Sequence, residues 1–228
     1  MFVSMHQPDY LPWSGYFNKI AVSDKFIFFD TAFHSLGGFH NRNKIKTAGG
    51  WAYLTIPMPH EENFKRLMDA SLPVDTRWAS KHWKSMVVHY GRAPYWREYS
   101  AFFEQLYANI TSFKTLADLN INIIEYLSQV FGFKAQFYRA SALGVASELR
   151  STEAILAVIP KVGATEFLAG PSGKKYLKRE RFVAEKIELL FQEYHQPEYA
   201  QLFPPFVPGL SAVDLLFNEG PRAINFLK

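Results

Sequence analysis

The sequence contains no cysteine among its 228 residues. This absence excludes a disulfide-stabilised scaffold, a thiolate nucleophile, zinc bound through cysteine and a cysteine-ligated iron–sulfur cluster. Charged residues make up 20% of the chain and the net charge is only +4, whereas soluble domains typically carry about 25% charged residues. So small a positive excess is weak evidence for an anionic partner.

Long apolar runs are also absent. No uncharged apolar stretch reaches the roughly 18 residues of a candidate membrane-spanning helix, and the N-terminal residues have no basic segment followed by an apolar one, as a secretory signal would. We therefore expect a cytoplasmic protein without a membrane span. The seven histidines form no H-E-x-x-H pattern and no G-x-S-x-G elbow occurs, so neither a metal site nor a hydrolase triad is predicted, and no cofactor is indicated.

What the chain does have is ample material for one hydrophobic core, with 48% hydrophobic and 17% aromatic residues. Short apolar runs typical of strands alternate with amphipathic segments typical of helices, which predicts an α/β fold: a mostly parallel sheet with flanking helices, in a Rossmann-like three-layer arrangement. The predicted strands are 2–6, 26–29, 51–58, 133–139, 166–169 and 187–194, and the predicted helices between them include 14–22, 151–162 and 174–186. Residues 75–130 show helical spacing, which predicts three consecutive helices, broken near residues 91–94 and 110–113. These helices are expected to form an insertion or lid within a single domain 1–228.

Ligands of open parallel sheets bind outside the carboxyl ends of the strands, so the residues just past each predicted strand are the candidates for a site. They are His6, Gln7, Asp30, His60, Ser141, Gly170 to Gly173 and His195. His6 is the most attractive general base because histidine titrates near neutrality; alternatively it is a histidine hydrogen-bonded to the chain. Asp30 is predicted to orient His6 or bind a sugar hydroxyl, or else to begin a turn.

Two segments are suited to phosphate. Asn41-Arg42-Asn43-Lys44 offers a guanidinium, two amides and an ammonium, although the same residues are ordinary in a solvated loop. The segment from Gly170 to Lys175, with Ser172 and Lys174, precedes a predicted helix whose N–H groups can hold an anion, but it lacks the P-loop spacing. The basic run 174–181 is compatible with nucleic-acid binding, yet such a run is more often the solvated face of a helix.

The order of these motifs resembles the WbqC-like family. The resemblance is carried first by His6 to Phe17, Lys19-Ile20, Asp24, Asp30, Asn41 to Asn43 and Leu54 to Pro57; then by Trp83, Tyr90-Gly91, Pro94-Tyr95, Asn120, Ser141, Lys161, Gly163 to Thr165, Gly170, Gly173 and Tyr176-Leu177; and finally by Pro197 to Tyr199, Gln201, Ser211, Asp214 to Asn218 and Gly220. The sequence departs from the pattern at Phe33 and Leu36, where a Gln and a Lys are expected.

The resemblance implies a bacterial protein of O-antigen or related surface-polysaccharide biosynthesis, which transfers an amino-acyl group such as glycyl, or another acyl group, onto an amino sugar. We therefore expect a nucleotide-linked amino sugar and an activated acyl donor as partners. His6 is predicted to take the proton from the attacking amine, Asp30 to orient His6, and Arg42 with Lys161 or Lys174 to hold the diphosphate. The full set of predicted substrate-binding residues is Gln7, Tyr10, Asn41, Arg42, Asn43, Lys161, Ser172, Lys174 and Tyr176.

Three alternatives stay open from the sequence. The protein is similar at its start to nucleotidylyltransferases with an H-x-G-H motif, but Trp13 and Tyr16 stand at the two histidine positions. It could instead bind a sugar nucleotide without catalysis. A third alternative is nucleic-acid binding through the 174–181 segment, including an aminoacyl-tRNA donor. The sequence predicts no oligomeric state.

Overall fold

The computed structural model describes residues 1–35, 37–145 and 148–228; Leu36, one of the two departures from the family pattern, lies outside these ranges. The strands are β1 (Phe2–His6), β2 (Lys25–Phe28), β3 (Arg42–Thr47), β4 (Gly50–Thr55), β5 (Gln136–Arg139), β6 (Glu166–Ala169) and β7 (Glu188–Phe191). The α-helices are α1 (Ser14–Ala21), α2 (Arg77–Tyr90), α3 (Trp96–Ala108), α4 (Leu116–Val130), α5 (Ser151–Val158), α6 (Arg179–Ala184) and α7 (Ala212–Glu219).

Five strands form one parallel sheet in the order β5-β2-β1-β6-β7. The chain moves outward from β1 through β2 to β5, and then returns to the other side of β1 to add β6 and β7. The direction of winding therefore reverses between β1 and β6, which makes the carboxyl ends of these two strands the topological switch point of a doubly wound sheet.

Apolar side chains cover both faces of the sheet and alternate along its strands. On β2, Phe26 and Phe28 join the core on one face, which also contains residues of α1, α2, α3, α4 and α7. Ile27, between them, joins the core on the opposite face, against residues of α5 and α6. The protein is thus three layers deep, as predicted: helices, a parallel sheet, and helices.

The three helices expected between residues 75 and 130 are present as α2, α3 and α4. Their core-facing side chains belong to the same hydrophobic cluster as α1 and α7, so they are packed into the layer on that face of the sheet. That this insertion acts as a lid stays a prediction. Within the described ranges, no helix has the combination of length and apolarity needed to cross a membrane.

Two predicted elements differ from the structure. The segment Asn41 to Lys44, for which a solvated loop was one expectation, lies mostly in β3 (Arg42–Thr47), which pairs antiparallel with β4 in a separate hairpin. The predicted strand 51–58 is therefore not part of the parallel sheet, and His60 does not lie at its carboxyl edge. The hairpin forms because Ile45 and Leu54 turn inward and are buried, while Lys44 lies 4.4 Å from the Trp51 ring on the outer face.

The predicted helix 174–186 is also wrong in part. Residues Pro171–Lys175 form a 3₁₀ turn, and only Arg179–Ala184 are α-helical. Proline at the start of the segment fixes its first φ angle, and Gly173 contributes its N–H to the turn by bonding Gly170 O at 2.9 Å. The basic run 174–181 is consequently divided between two short elements and does not form one helix face.

Phe217 on α7 joins the helices of the insertion to the rest of its layer. Its ring is fully buried, and its centroid lies 5.2 Å from that of Tyr90, 4.9 Å from Trp96 and 5.7 Å from Phe103.

We expect Phe217→Ala to lower the free energy of unfolding by about 3–5 kcal/mol, since a large buried ring leaves a cavity. Urea unfolding measures this loss; Val183→Ala, at an exposed position, should change it by less than about 0.5 kcal/mol. An equally small effect at Phe217 would contradict this packing.

Candidate functional site

A cavity of about 530 Å³ opens at the switch point, beside the carboxyl ends of β1 and β6. Its polar lining consists of His6, Gln7, Lys19, Arg150, Ser151, Ser172 and Tyr176, and its apolar lining consists of Met5, Phe29, Ile155, Phe167, Ala169 and Leu177, together with Gly170. No aspartate or glutamate of the described chain is among these lining residues. The cavity has the size of a small-ligand site and carries two positively charged side chains.

Lys19 reaches this cavity from α1. The side chain is only 3% exposed, and no described residue accepts a hydrogen bond from its ammonium group. Gly170 allows the approach, because a Cβ atom at that position would lie 3.3 Å from Lys19 Nζ. Burial lowers the pKa of Lys19 to about 8, against an opposing effect of Asp9. The ammonium therefore lies at the cavity with no acceptor among the described residues, where it could hold an anion.

His6 is held in one tautomer at the end of β1. Its Nδ1 lies 2.9 Å from the backbone carbonyl oxygen of Gln7, and since a carbonyl only accepts, Nδ1 carries the proton. The edge of the ring packs against Tyr16, with centroids 4.8 Å apart. Burial, and then the charge of Lys19, lower the pKa of His6. The imidazole is therefore neutral at physiological pH, and Nε2 is its hydrogen-bond acceptor.

The carboxylate beside His6 is Asp9. Its Oδ2 lies 3.8 Å from His6 Nδ1, and its Oδ1 lies 3.9 Å from His40 Nε2. Burial raises the pKa of Asp9 to about 7, although Lys19 opposes this effect. The Asp9 carboxyl group therefore gains or loses its proton near neutral pH, beside His6 and His40.

Asp30 does not take the position expected for a residue that orients His6. It is fully buried, and its two oxygens accept hydrogen bonds from Ser141 N at 3.0 Å and Ser141 Oγ at 2.5 Å. These bonds join the end of β2 to the turn that follows β5. Asp30 and Ser141 therefore stabilise the carboxyl edge of the sheet, and Asp9 is the carboxylate near His6.

Arg150 and Ser151 approach the cavity from the start of α5. Ser151 is the first residue of that helix and has φ +50°. The Arg150 guanidinium lies 4.7 Å from the centroid of Phe33, so this ring, which replaces a polar residue of the family pattern, packs beside a cavity-lining cation. Together with Ser172, these residues give the cavity hydroxyl groups and positive charge.

Several predicted binding residues lie elsewhere. Tyr10 is fully buried, where its hydroxyl bonds Tyr107 Oη at 2.6 Å and His82 Nδ1 at 2.8 Å. Asn43 donates to the carbonyls of Tyr10 and Leu11. Asn41 likewise donates to Ile56 O. Asn43 thus holds the hairpin against the loop after β1, and none of these three side chains lines the cavity.

The predicted diphosphate-binding cations are also outside the cavity. Arg42 donates to Gly37 O at 2.8 Å and packs 4.7 Å from the Tyr53 ring. Lys161 is in the turn before β6, at the opposite edge of the sheet from the cavity. Lys174 lies over the Phe191 ring, 5.6 Å from its centroid. Of the predicted site residues, the structure brings His6, Gln7, Ser172 and Tyr176 together.

Sequence reasoning missed Lys19, Asp9, His40 and Arg150 as members of this region. One signal was available: Lys19 is the only charged residue in the eight-residue helix SGYFNKIA, where a buried position is unusual for lysine. Asp9 and Lys19 also belong to the residues that carry the family resemblance. Arg150 and His40 had no signal, because they reach the site from distant segments.

The fold and the cavity define a doubly wound α/β protein with a cationic cavity at its switch point. The chain belongs to the WbqC-like protein family, whose model matches residues 7–226. It is 29% identical over 227 residues to the uncharacterised protein Rv1507c of Mycobacterium tuberculosis, covering 99% of this chain and 97% of that protein. No solved structure gives a significant match.

Across residues 1–35, 37–145 and 148–228, no group of three or more histidine, aspartate or glutamate side chains is arranged to hold an ion.

Because burial disfavours its charged form, Lys19 should destabilise the protein when no ligand is bound. The pKa falls from 10.5 to about 8 on folding, which is equivalent to about 3 kcal/mol. This cost is complete below pH 8, where both states are protonated, and it disappears above about pH 10.5, where both are neutral. We expect Lys19→Met to raise the free energy of unfolding at pH 7 by about 1–3 kcal/mol, and by much less at pH 10.5.

Urea unfolding at the two pH values measures this difference. Lys161→Met, at an exposed lysine far from the cavity, is the matched control and should change stability by less than about 0.5 kcal/mol. A clear loss of stability in Lys19→Met at pH 7 would show that the ammonium has a structural role.

Proposed function

We propose that this protein is a transferase that moves an acyl group, such as an amino-acyl group, onto the amino group of a nucleotide-linked sugar. The observation that carries the proposal is the buried ammonium of Lys19 in a cavity at the switch point of the sheet. Membership of the WbqC-like family supports it, because the family resemblance implies an amino-sugar acceptor.

The charge of the cavity fits the diphosphate of such an acceptor. Lys19 and Arg150 supply positive charge, Ser172 supplies a hydroxyl, and no carboxylate lines the wall. A phosphate oxygen on Lys19 would satisfy its ammonium and offset the cost of burying it. Tyr176, half exposed at the cavity, provides an aromatic face for a base or a sugar ring. We therefore assign the diphosphate to the side of the cavity nearest Lys19 and Arg150.

The reacting amine is assigned to His6. The amine nitrogen attacks the acyl carbon, a new C–N bond forms, and the bond to the donor's leaving group breaks with its electron pair. His6 Nε2, the acceptor of the neutral ring, takes the proton that the amine loses. An anion on Lys19 reduces the charge that lowers the pKa of His6, so the base becomes stronger when the acceptor binds.

Direct transfer from an activated donor is the simplest route for this chain. A covalent thioester on the enzyme requires a cysteine, and the sequence contains none. The donor must therefore bring its own leaving group. Nucleotide-linked sugars and activated acyl groups are cytoplasmic metabolites. A protein with this function would therefore act in the cytoplasm.

Sugar-nucleotide binding without catalysis is the second candidate. The observation that favours it is the low basicity of His6 in the empty protein, where burial and Lys19 both disfavour the protonated ring. This candidate uses the same cationic cavity and predicts the same ligands. It differs only in that no acyl donor yields a product.

The ligand prediction is tested by isothermal titration with nucleoside diphosphates, their amino sugars and the corresponding neutral sugars. We expect the diphosphate ligands to bind and the neutral sugars to fail. Lys19→Met and Arg150→Ala should each weaken binding at least about tenfold, since each removes a charge-assisted contact. Arg42→Ala and Lys161→Met are the controls, because those cations lie outside the cavity. Equal losses in the controls, or no binding to the wild type, would overturn the assignment of the cavity.

Catalysis is tested by following acylated amino sugar by mass spectrometry with a panel of acyl donors. We expect His6→Ala to lower kcat/KM by about 10²-fold or more, with little change in the dissociation constant of the acceptor. Asp30→Asn should lower stability but retain the chemistry, since its partner is Ser141. An unchanged kcat/KM in His6→Ala would remove His6 from the mechanism, and acceptor binding without product for any donor would favour the second candidate.

A further inference from the structure

The side chain of Gln7 is held at the cavity by a histidine from a distant loop. Gln7 Oε1 lies 2.8 Å from His40 Nε2, and the two residues are separated by more than thirty positions in the chain. His40 is buried, with 3% exposure, and does not line the cavity. It contacts the cavity wall through Gln7, and its Nε2 also lies 3.9 Å from Asp9 Oδ1.

The tautomer of His40 follows from its second nitrogen. The backbone N–H of Ser35 donates to His40 Nδ1 at 3.4 Å, so Nδ1 is the acceptor. In a neutral ring the proton is then on Nε2, which donates it to Gln7 Oε1. Burial and the neighbouring His34 lower the pKa of His40 to about 4, so this neutral tautomer persists at physiological pH.

With Oε1 accepting from His40, the amide of Gln7 has a fixed orientation. Its nitrogen donates to no residue of the described chain, while the side chain lines the cavity. The –NH₂ group is therefore the polar end that Gln7 presents to a ligand. The neighbouring His6 presents the opposite character, an acceptor at Nε2.

The helical insertion fixes the two loops that carry this pair. Asn120, fully buried on α4, donates to Pro8 O and to His40 O, both at 2.8 Å. The backbone N–H of Tyr10 also donates to Phe39 O at 2.9 Å. The segment after β1 and the segment before β3 are thus tied together beside the contact between Gln7 and His40.

We propose that Gln7 is a preorganised hydrogen-bond donor for the acyl oxygen in the transfer reaction, and that His40 is the positioning residue that sets its orientation. The role in transfer rests on the proposed function, whereas the fixed orientation of Gln7 does not. As the amine attacks, negative charge develops on the acyl oxygen, and a donor already in place stabilises it without reorganisation. In this single step, His6 accepts the proton that the amine loses, and Gln7 donates a hydrogen bond to the negatively charged acyl oxygen.

The orientation is tested on the free protein by ¹⁵N NMR of its histidines. We expect His40 to be the Nε2–H tautomer across neutral pH and Gln7 to give one pair of side-chain amide signals. His40→Gln should retain that single pair, because its amide can still donate to Gln7 Oε1, and His40→Leu should broaden or multiply it. An Nδ1–H tautomer at His40 overturns the proposal whether or not any transfer is found.

The role in transfer is tested by steady-state kinetics. Gln7→Met keeps the length of the side chain and adds no charge but removes the donor, so kcat should fall about 10²-fold or more while KM changes by less than about threefold. His40→Leu should lower kcat in the same way, and His40→Gln should recover most of it. If Gln7→Met keeps wild-type kcat, Gln7 is not the donor. If the wild type binds no diphosphate sugar, the proposed function fails, while the NMR result still decides the orientation of Gln7.

Discussion

The arrangement of this protein depends on the parallel pairing of β1 with β2 on one side and with β6 on the other. Parallel neighbours need crossover connections, which place helices on both faces of the sheet. The chain leaves β1 toward β2 on one side and later returns from β5 to β6 on the other, so the winding direction reverses between β1 and β6. The cavity lies at this reversal, and its position follows from strand order before any side chain is considered.

Lys19 converts that place into a charged site. Within α1 it is surrounded by residues that are themselves buried, and its ammonium extends toward the backbone at Gly170. A structural lysine in such a position would be paired with a carboxylate. Here Asp9 is close enough to raise the pKa of Lys19 but forms no ion pair with it in the described structure. The protein thus retains a partly compensated positive charge at the cavity, which is the charge that the proposed diphosphate ligand would neutralise.

The hydrogen bonds around this charge set directions as well as distances. The Gln7 carbonyl fixes His6 as an acceptor toward the cavity, and His40 fixes the Gln7 amide as a donor. Asn120 on α4 connects these residues to the helical layer, because it donates hydrogen bonds to the segment after β1 and to the segment before β3. The insertion therefore has a defined connection to the site although it contributes no lining residue. Preorganised groups of this kind are effective because they need not reorient as charge develops.

The sequence by itself determined the α/β class, the central parallel strands, the three helices between residues 75 and 130, and the location of His6 and Gln7 at a strand end. These features depend on local periodicity and on residues adjacent in the chain. Only the tertiary structure decided that Asp30 binds Ser141, that Tyr10 is enclosed by His82 and Tyr107, and that Lys161 faces the opposite edge. Arg42 lies in a strand and not in a loop because its segment pairs with β4, and this pairing cannot be read from the composition of the segment alone. Lys19, His40 and Arg150 reach the site because segments far apart in the sequence pack together. The spacing of residues along the chain does not predict which distant segments come into contact.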